Sequence, residues 1–139
     1  MSAKDAAVLV RQHVQHIVNE QQLQVVEQVY HPDLIFHDPF APGGAARGYD
    51  GLKGFLQAIY AAIPDFHFAV NNYFEDGQLA GWHGNVSGTL QHDLAGLSGH
   101  GQRFEVPICE IFRIRDGKVA EVWVYIENGT LVNQVSSQG

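Results

Sequence analysis

Phe104-Glu105-Val106-Pro107-Ile108-Cys109-Glu110-Ile111-Phe112-Arg113-Ile114 decides how this chain folds and where its chemistry sits. Phe104, Val106, Ile108, Glu110, Phe112 and Ile114 occupy alternate positions, so a strand puts all of them on one face. Glu110 is the only one of them that is not apolar. An ionised carboxylate is costly to bury without partners, so such a group keeps its proton or faces a polar pocket. Glu110 therefore marks a cavity in which an acid meets a ligand. The plainer reading is a bulge, or a pairing with a buried Arg or His.

Strand periodicity continues on both sides. Downstream, Arg115-Asp116-Gly117 reads as a hairpin turn into a strand over 118–127. Upstream, strands at 66–74 and 79–90 are joined by Glu75-Asp76-Gly77, and Gly81, Gly84 and Gly88 suit a strongly bent sheet. Residues 91–101 form a Gly- and His-rich connection. Before Pro64 the pattern is helical. Ala6, Val10, Val14 and Ile17 form a stripe over 5–19, and a short helix follows over 21–30. Leu34–His37 is a strand closed by Asp38-Pro39, residues 41–48 are a loop, and a helix over 50–63 is capped by Asp50 and stopped by Pro64. Helices first and long strands afterwards give an α+β class. The expected architecture is a single domain over 1–139, a cone-shaped α+β barrel with three N-terminal helices packed on a curved, mainly antiparallel sheet. A cavity between the layers is where a small-molecule site belongs.

Composition narrows the partners. Fifteen acids against eight bases give a net charge of −7, and no basic run or Arg-rich strip occurs, so no nucleic acid is expected. No apolar run approaches the roughly 20 residues of a membrane helix, and Met1–Asp5 has no signal-peptide character, so no membrane association is expected. The single cysteine, Cys109, excludes an internal disulfide and fits a reducing cytoplasm.

Ile63-Pro64-Asp65-Phe66, Glu75-Asp76-Gly77, the connection from Gly88 to Gly101, Ile111-Phe112-Arg113-Ile114 with Asp116-Gly117-Lys118, and Glu121-Val122-Trp123 together make a pattern. With the order of elements, it resembles the nuclear transport factor 2-like superfamily, and within it the SnoaL-like polyketide cyclase branch. The resemblance implies a cofactor-free enzyme with a ketosteroid isomerase-like pocket. The cyclase branch carries its acid/base aspartate directly after the last-strand tryptophan, where this chain has Val124. The isomerase branch places its base in a strand-end Asp-Pro, matched by Asp38-Pro39, and a carboxylic acid two residues before Phe-Arg, matched by Glu110. Its first-helix tyrosine falls at or beside Val14, with His13 as the nearest polar substitute.

The resemblance implies Asp38 and Glu110 as the catalytic pair, acting next to the carbonyl of a small hydrophobic compound. A turn residue bonding its own backbone is the structural alternative for Asp38. His13, Val14, Phe55, Tyr60, Trp82 and Val124 are the expected substrate contacts. For His13 and His16 the default is a solvated helix flank, and for Tyr60, Phe68, Phe74 and Trp82 it is ordinary core packing. His37 should point away from Asp38. His83, Asn85 and Ser87 share the face of a polar wall or a dimer surface. His92, Asp93 and His100 lack metal-ligand spacing, and no metal and no cofactor is expected. Cys109 reads as an inert thiol. Trp123 and Tyr125 on the outer sheet face point to a homodimer. The competing class is a non-catalytic ligand-binding or dimerisation module.

Overall fold

The computed structural model describes residues 3–138. A helix, α1 (Ala3–Gln12), runs without a break into a π-helical segment, His13–Asn19. A 3-10 turn at Leu23–Val25 leads into the short α2 (Val26–Val29) and then strand β1 (Tyr30–His37). After β2 (Ala45–Arg47) and α3 (Gly48–Ala62) come the long strands β3 (His67–Asp76), β4 (Leu79–Leu90), β5 (Gln102–Arg115) and β6 (Lys118–Ile126). A C-terminal helix, α4 (Asn128–Ser137), closes the chain.

The strands form one open sheet in the order β2-β1-β6-β5-β4-β3. All neighbours are antiparallel except β1 and β6, which run parallel. The class is α+β as expected, with two corrections. The N-terminal helical part is not three regular helices, since α1 changes to π geometry and α2 is a single turn. The sequence pattern also gives no sign of α4, and reads the short strand β2 as loop.

The alternation in β5 is realised: Phe104, Val106, Ile108, Glu110, Phe112 and Ile114 are buried, while Arg103, Glu105 and Pro107 are exposed. The sheet bends over the helices. At the irregularity between Val70 and Asn72 the backbone of Ala69 and Val70 crowds Gly84, where a Cβ has no room. Phe74 is not core: it is 44% exposed and lies across Gly81.

Side-chain amides occupy unpaired strand groups. Asn19 both donates to the carbonyl of Phe68 and accepts from its N–H, at 3.0 and 2.8 Å. β5 pairs with β6 only from Ile108 onward, leaving the groups of residues 103 and 105 without a strand partner on that side. Gln138 and Gln134 of α4 supply one. Gln138 takes the N–H and C=O of Arg103 at 2.9 and 2.5 Å, and Gln134 those of Glu105 at 2.9 and 3.1 Å. The helix covers an edge that would otherwise template pairing with another chain.

Candidate active site

A cavity of about 720 Å³, counted out to its mouth, lies between the sheet and the helices. Its wall is apolar (Phe36, Phe55, Ile59, Phe66, Phe68 and Ile108 among others) apart from His13, Asp38 and Glu110. This apolar lining suits a small organic molecule. Leu94 and Leu97 close one side, Leu131 and Val135 of α4 another. Leu94 and Leu97 exchange backbone hydrogen bonds of 3.0 and 2.8 Å around Ala95 and Gly96, both at positive φ (51° and 83°), a tight two-residue hairpin.

Glu110 is 1% exposed and sits in a row across the sheet, paired in register with Trp82 of β4 and Val124 of β6. Trp82 donates its indole N–H to Oε1 at 2.7 Å, and Nε2 of His13 lies 3.3 Å from the same oxygen. Glu110 thus lies against a buried His, as the plain reading has it, though without a hydrogen bond to it, and it also lines the cavity.

His13 corrects the flank expectation: it is fully buried, while His16 beside it bonds the exposed Glu20 at 2.8 Å. In a regular α-helix His13 lies at the border of the apolar stripe. His13, Val14, Ile17 and Val18 are nonetheless all buried, the spacing of one helix face. Tyr60 holds this segment by donating to the carbonyl of Ile17 at 2.6 Å. The imidazole is enclosed by Tyr30, Phe36, Phe68 and Phe112 with ring centroids 5.2–6.4 Å away, and its Nδ1 meets the Tyr30 hydroxyl at 2.9 Å.

Asp38 follows β1. Since His37 registers with Trp123, Asp38 falls beside Val124, two strand spacings from Glu110, or about 10 Å between Cα atoms. Its Oδ1 accepts the Phe40 N–H at 2.8 Å, so the turn role is also realised. Burial pushes its carboxyl up to about 6; the Phe40 bond opposes this and the Glu110 charge adds to it. Asp38 and Val124 also border an outer cleft formed with His37, Pro39, Gly44, Trp123 and Tyr125.

Of the expected site residues, the structure brings Asp38, Glu110, His13, Phe55 and Val124 to the cavity wall. Three contacts are corrected. Val14 is buried beside His13 but off the wall, Tyr60 is turned to Ile17, and Trp82 lies behind Glu110 as its donor. Tyr30, overlooked in the sequence, sits behind His13. Its place at the end of a helical stretch gave no sign of this.

Elsewhere, His37 bonds Glu121 at 2.6 Å and stacks on Trp123 at 5.8 Å. Among the described residues no group of His, Cys, Asp and Glu could hold a metal. Burial and the Glu110 charge push the Cys109 thiol up, as an inert thiol requires. No helix is long and apolar enough to cross a membrane.

The SnoaL-like polyketide cyclase family model matches residues 8–135, and the chain belongs to this family. Solved structures share the fold. TsrD from Streptomyces laurentii is 20% identical with a TM-score of 0.85, covering 99% of this chain and 98% of that one. A SnoaL-like polyketide cyclase from Agrobacterium tumefaciens is 16% identical with a TM-score of 0.74, covering 91% and 94%. AclR from Streptomyces galilaeus, named as a candidate hydroxylase, is 20% identical with a TM-score of 0.80, covering 98% of each. No curated protein sequence matches this chain.

Proposed function

We propose that the chain is a small-molecule enzyme of the cyclase/isomerase type that moves a proton next to a carbonyl, without a cofactor, inside the apolar cavity. The observation that carries this reading is Asp38, a half-buried carboxyl raised to about 6 on the wall it shares with Glu110. A base is most effective when its pKa lies near the operating pH. Two carboxyl groups in one cavity oppose joint ionisation, which suits a division of labour. Ionised Asp38 takes the proton from the carbon beside the carbonyl, and the electron pair moves to the oxygen. There Glu110 stabilises the enolate with a hydrogen bond. Proton return at another carbon gives isomerisation. Attack of the enolate carbon on a second carbonyl of the same molecule, whose oxygen takes the proton from Asp38 as its C=O π bond breaks, gives cyclisation. Loss of a β-substituent, protonated as it leaves, gives elimination. Val124 stands where the cyclase branch has its aspartate and carries no proton, so any base work falls to Asp38.

The test is deuterium exchange at the carbon beside the carbonyl of a panel of aryl ketones, followed by NMR. Asp38→Asn should lower the exchange rate roughly 10²- to 10⁴-fold. An unchanged rate removes the assignment. One observation favours the second reading, a ligand-binding module without turnover: Asp38 already has a structural task in accepting the Phe40 N–H.

The chain also fits a homodimer paired across the outer sheet face, where Tyr125 is 60% exposed beside Trp123. Sedimentation at micromolar concentration tests it, a lone species of 15.4 kDa being the contrary result.

A further inference from the structure

On the cavity wall, one fully buried polar atom lacks a hydrogen-bond partner among the described residues, Nε2 of His13. Buried polar groups are nearly always paired, so an orphan on a cavity wall calls for a ligand group or a water. Which group depends on whether Nε2 carries the proton, and both ends of the ring give the same answer.

At Nδ1 the partner is the hydroxyl of Tyr30, 2.9 Å away and fully buried. Burial first, then the Glu110 charge, holds the phenol pKa well above its ordinary value, so the hydroxyl keeps its proton. That proton has no acceptor other than Nδ1 among the described hydrogen bonds. Were Nδ1 the donor instead, the phenol proton would be left unbonded in the core. At the other end, Nε2 faces Oε1 of Glu110 at 3.3 Å. Oε1 already accepts the Trp82 N–H and so presents lone-pair density. A bare Nε2 would set lone pair against lone pair. The ring is therefore the neutral tautomer with its proton on Nε2, short of a satisfied bond to Glu110 and free to donate into the cavity.

We infer that His13 is the hydrogen-bond donor for an uncharged carbonyl oxygen of the ligand, and that Tyr30 is the positioning residue that fixes its tautomer. This rests on the cavity being the ligand site proposed above, and adds what the site selects. The wall holds no Lys or Arg to face an anion, while the ionised carboxyl of Asp38 opposes one at neutral pH. A ketone, ester or enone oxygen is accepted; a carboxylate of the same shape is refused.

The test uses three probes of one shape: 2-acetylnaphthalene, its olefin counterpart 2-isopropenylnaphthalene, and 2-naphthoate. Fluorescence titration at neutral pH should show the ketone binding about five- to tenfold tighter than the olefin, the worth of one hydrogen bond, and the carboxylate binding weakest. The ring ¹⁵N signals of His13 should show a protonated Nε2 and a bare Nδ1. In Tyr30→Phe the ketone/olefin ratio should fall towards one and the ¹⁵N signals should move towards a mixture of tautomers. A change of cavity shape would shift both neutral probes together and leave their ratio alone. His13→Gln, which keeps a donor, should retain part of the preference, and His13→Leu should abolish it, so the test survives if Tyr30→Phe does not fold. A proton found on Nδ1, or equal binding of ketone and olefin to a wild type with Nε2 protonated, overturns the inference and leaves the cavity reading standing. If neither neutral probe binds, the cavity reading fails and takes the inference with it.

Discussion

The two sides of the cavity are built differently. On the sheet side, together with the helical His13 packed on it, Glu110, Trp82 and Phe112 are at most 1% exposed, and the hydrogen bonds of Trp82 and His13 lie inside the core, where they are strong when satisfied. On the other side, the Leu94–Leu97 hairpin and α4 reach the cavity with a few apolar side chains. They are held to the sheet mainly by exposed amide bonds from Gln134 and Gln138, with buried Gln102 bridging the carbonyls of Ser98 and Val135. Few buried contacts and exposed hydrogen bonds mark a segment that opens at low cost. One wall fixes the polar groups in place, and we propose that the other is the one that opens.

That contrast is broken most directly by deleting one apolar side chain from each wall. Phe112→Ala should cost about 3–5 kcal/mol in chemical denaturation, because Phe112 is fully buried against His13 at 5.2 Å and the core around it cannot collapse. Leu131→Ala should cost about 1–2 kcal/mol, since local detachment of α4 caps the loss. Equal losses would mean that the walls form one cooperative unit.

Asp38 sits at the sheet wall's edge, and its titration gives a smaller effect. Folding raises its pKa from 3.8 to about 6. The folded state thus binds this proton more tightly than the unfolded chain does, so the contribution to stability is complete below pH 3.8 and is lost as the pH rises through about 6. Asn can keep the turn bond to Phe40 but does not titrate. The stability of Asp38→Asn relative to the wild type should therefore rise by roughly 1–3 kcal/mol between about pH 4 and about pH 7. The half-burial of Asp38 favours the lower end of that range. A difference that does not change with pH would place the carboxyl in bulk water, and with it the case for a tuned base would go.

The two sides are also unequally legible in the sequence. The sheet wall announces itself in Phe104–Ile114, because period-two alternation describes a strand with one buried face, and the one acid on that face marks a position that needs a polar neighbour or a cavity. Asp38 is found through its strand-end Asp-Pro, and Val124 through its place after Trp123. His13 is misplaced because a stripe drawn through Ala6, Val10, Val14 and Ile17 leaves it on the border, whereas the buried face also takes in Leu9 and Val18 and so includes it. Trp82 falls on the right strand, but a residue pattern does not reveal that its N–H turns to Glu110. α4 escapes altogether, since Asn128-Gly129-Thr130 is a poor helix start and the apolar stripe is only Leu131 and Val135. Its reason to exist is tertiary: the unpaired groups of β5 that Gln134 and Gln138 bind.

The smallest effect sharpens the comparison most, because it touches α4 without touching the cavity. Gln134→Ala and Gln138→Ala each delete a pair of amide bonds to β5. Exposed bonds of this kind are worth about 0.5–1 kcal/mol each at most, so each variant should lose roughly 1 kcal/mol locally. Amide exchange within α4 should accelerate about five- to tenfold, while exchange along the β4–β5 and β5–β6 ladders stays within a factor of two or so. Gln138→Glu tests the geometry separately, since a carboxylate still accepts the Arg103 N–H but cannot donate to its carbonyl, and exchange should fall between wild type and Ala. If the ladders lost protection along with α4, the helix would belong to the same cooperative unit as the sheet. The cavity would then open only when that unit opened, and the division into a fixed wall and a yielding one would have to be abandoned.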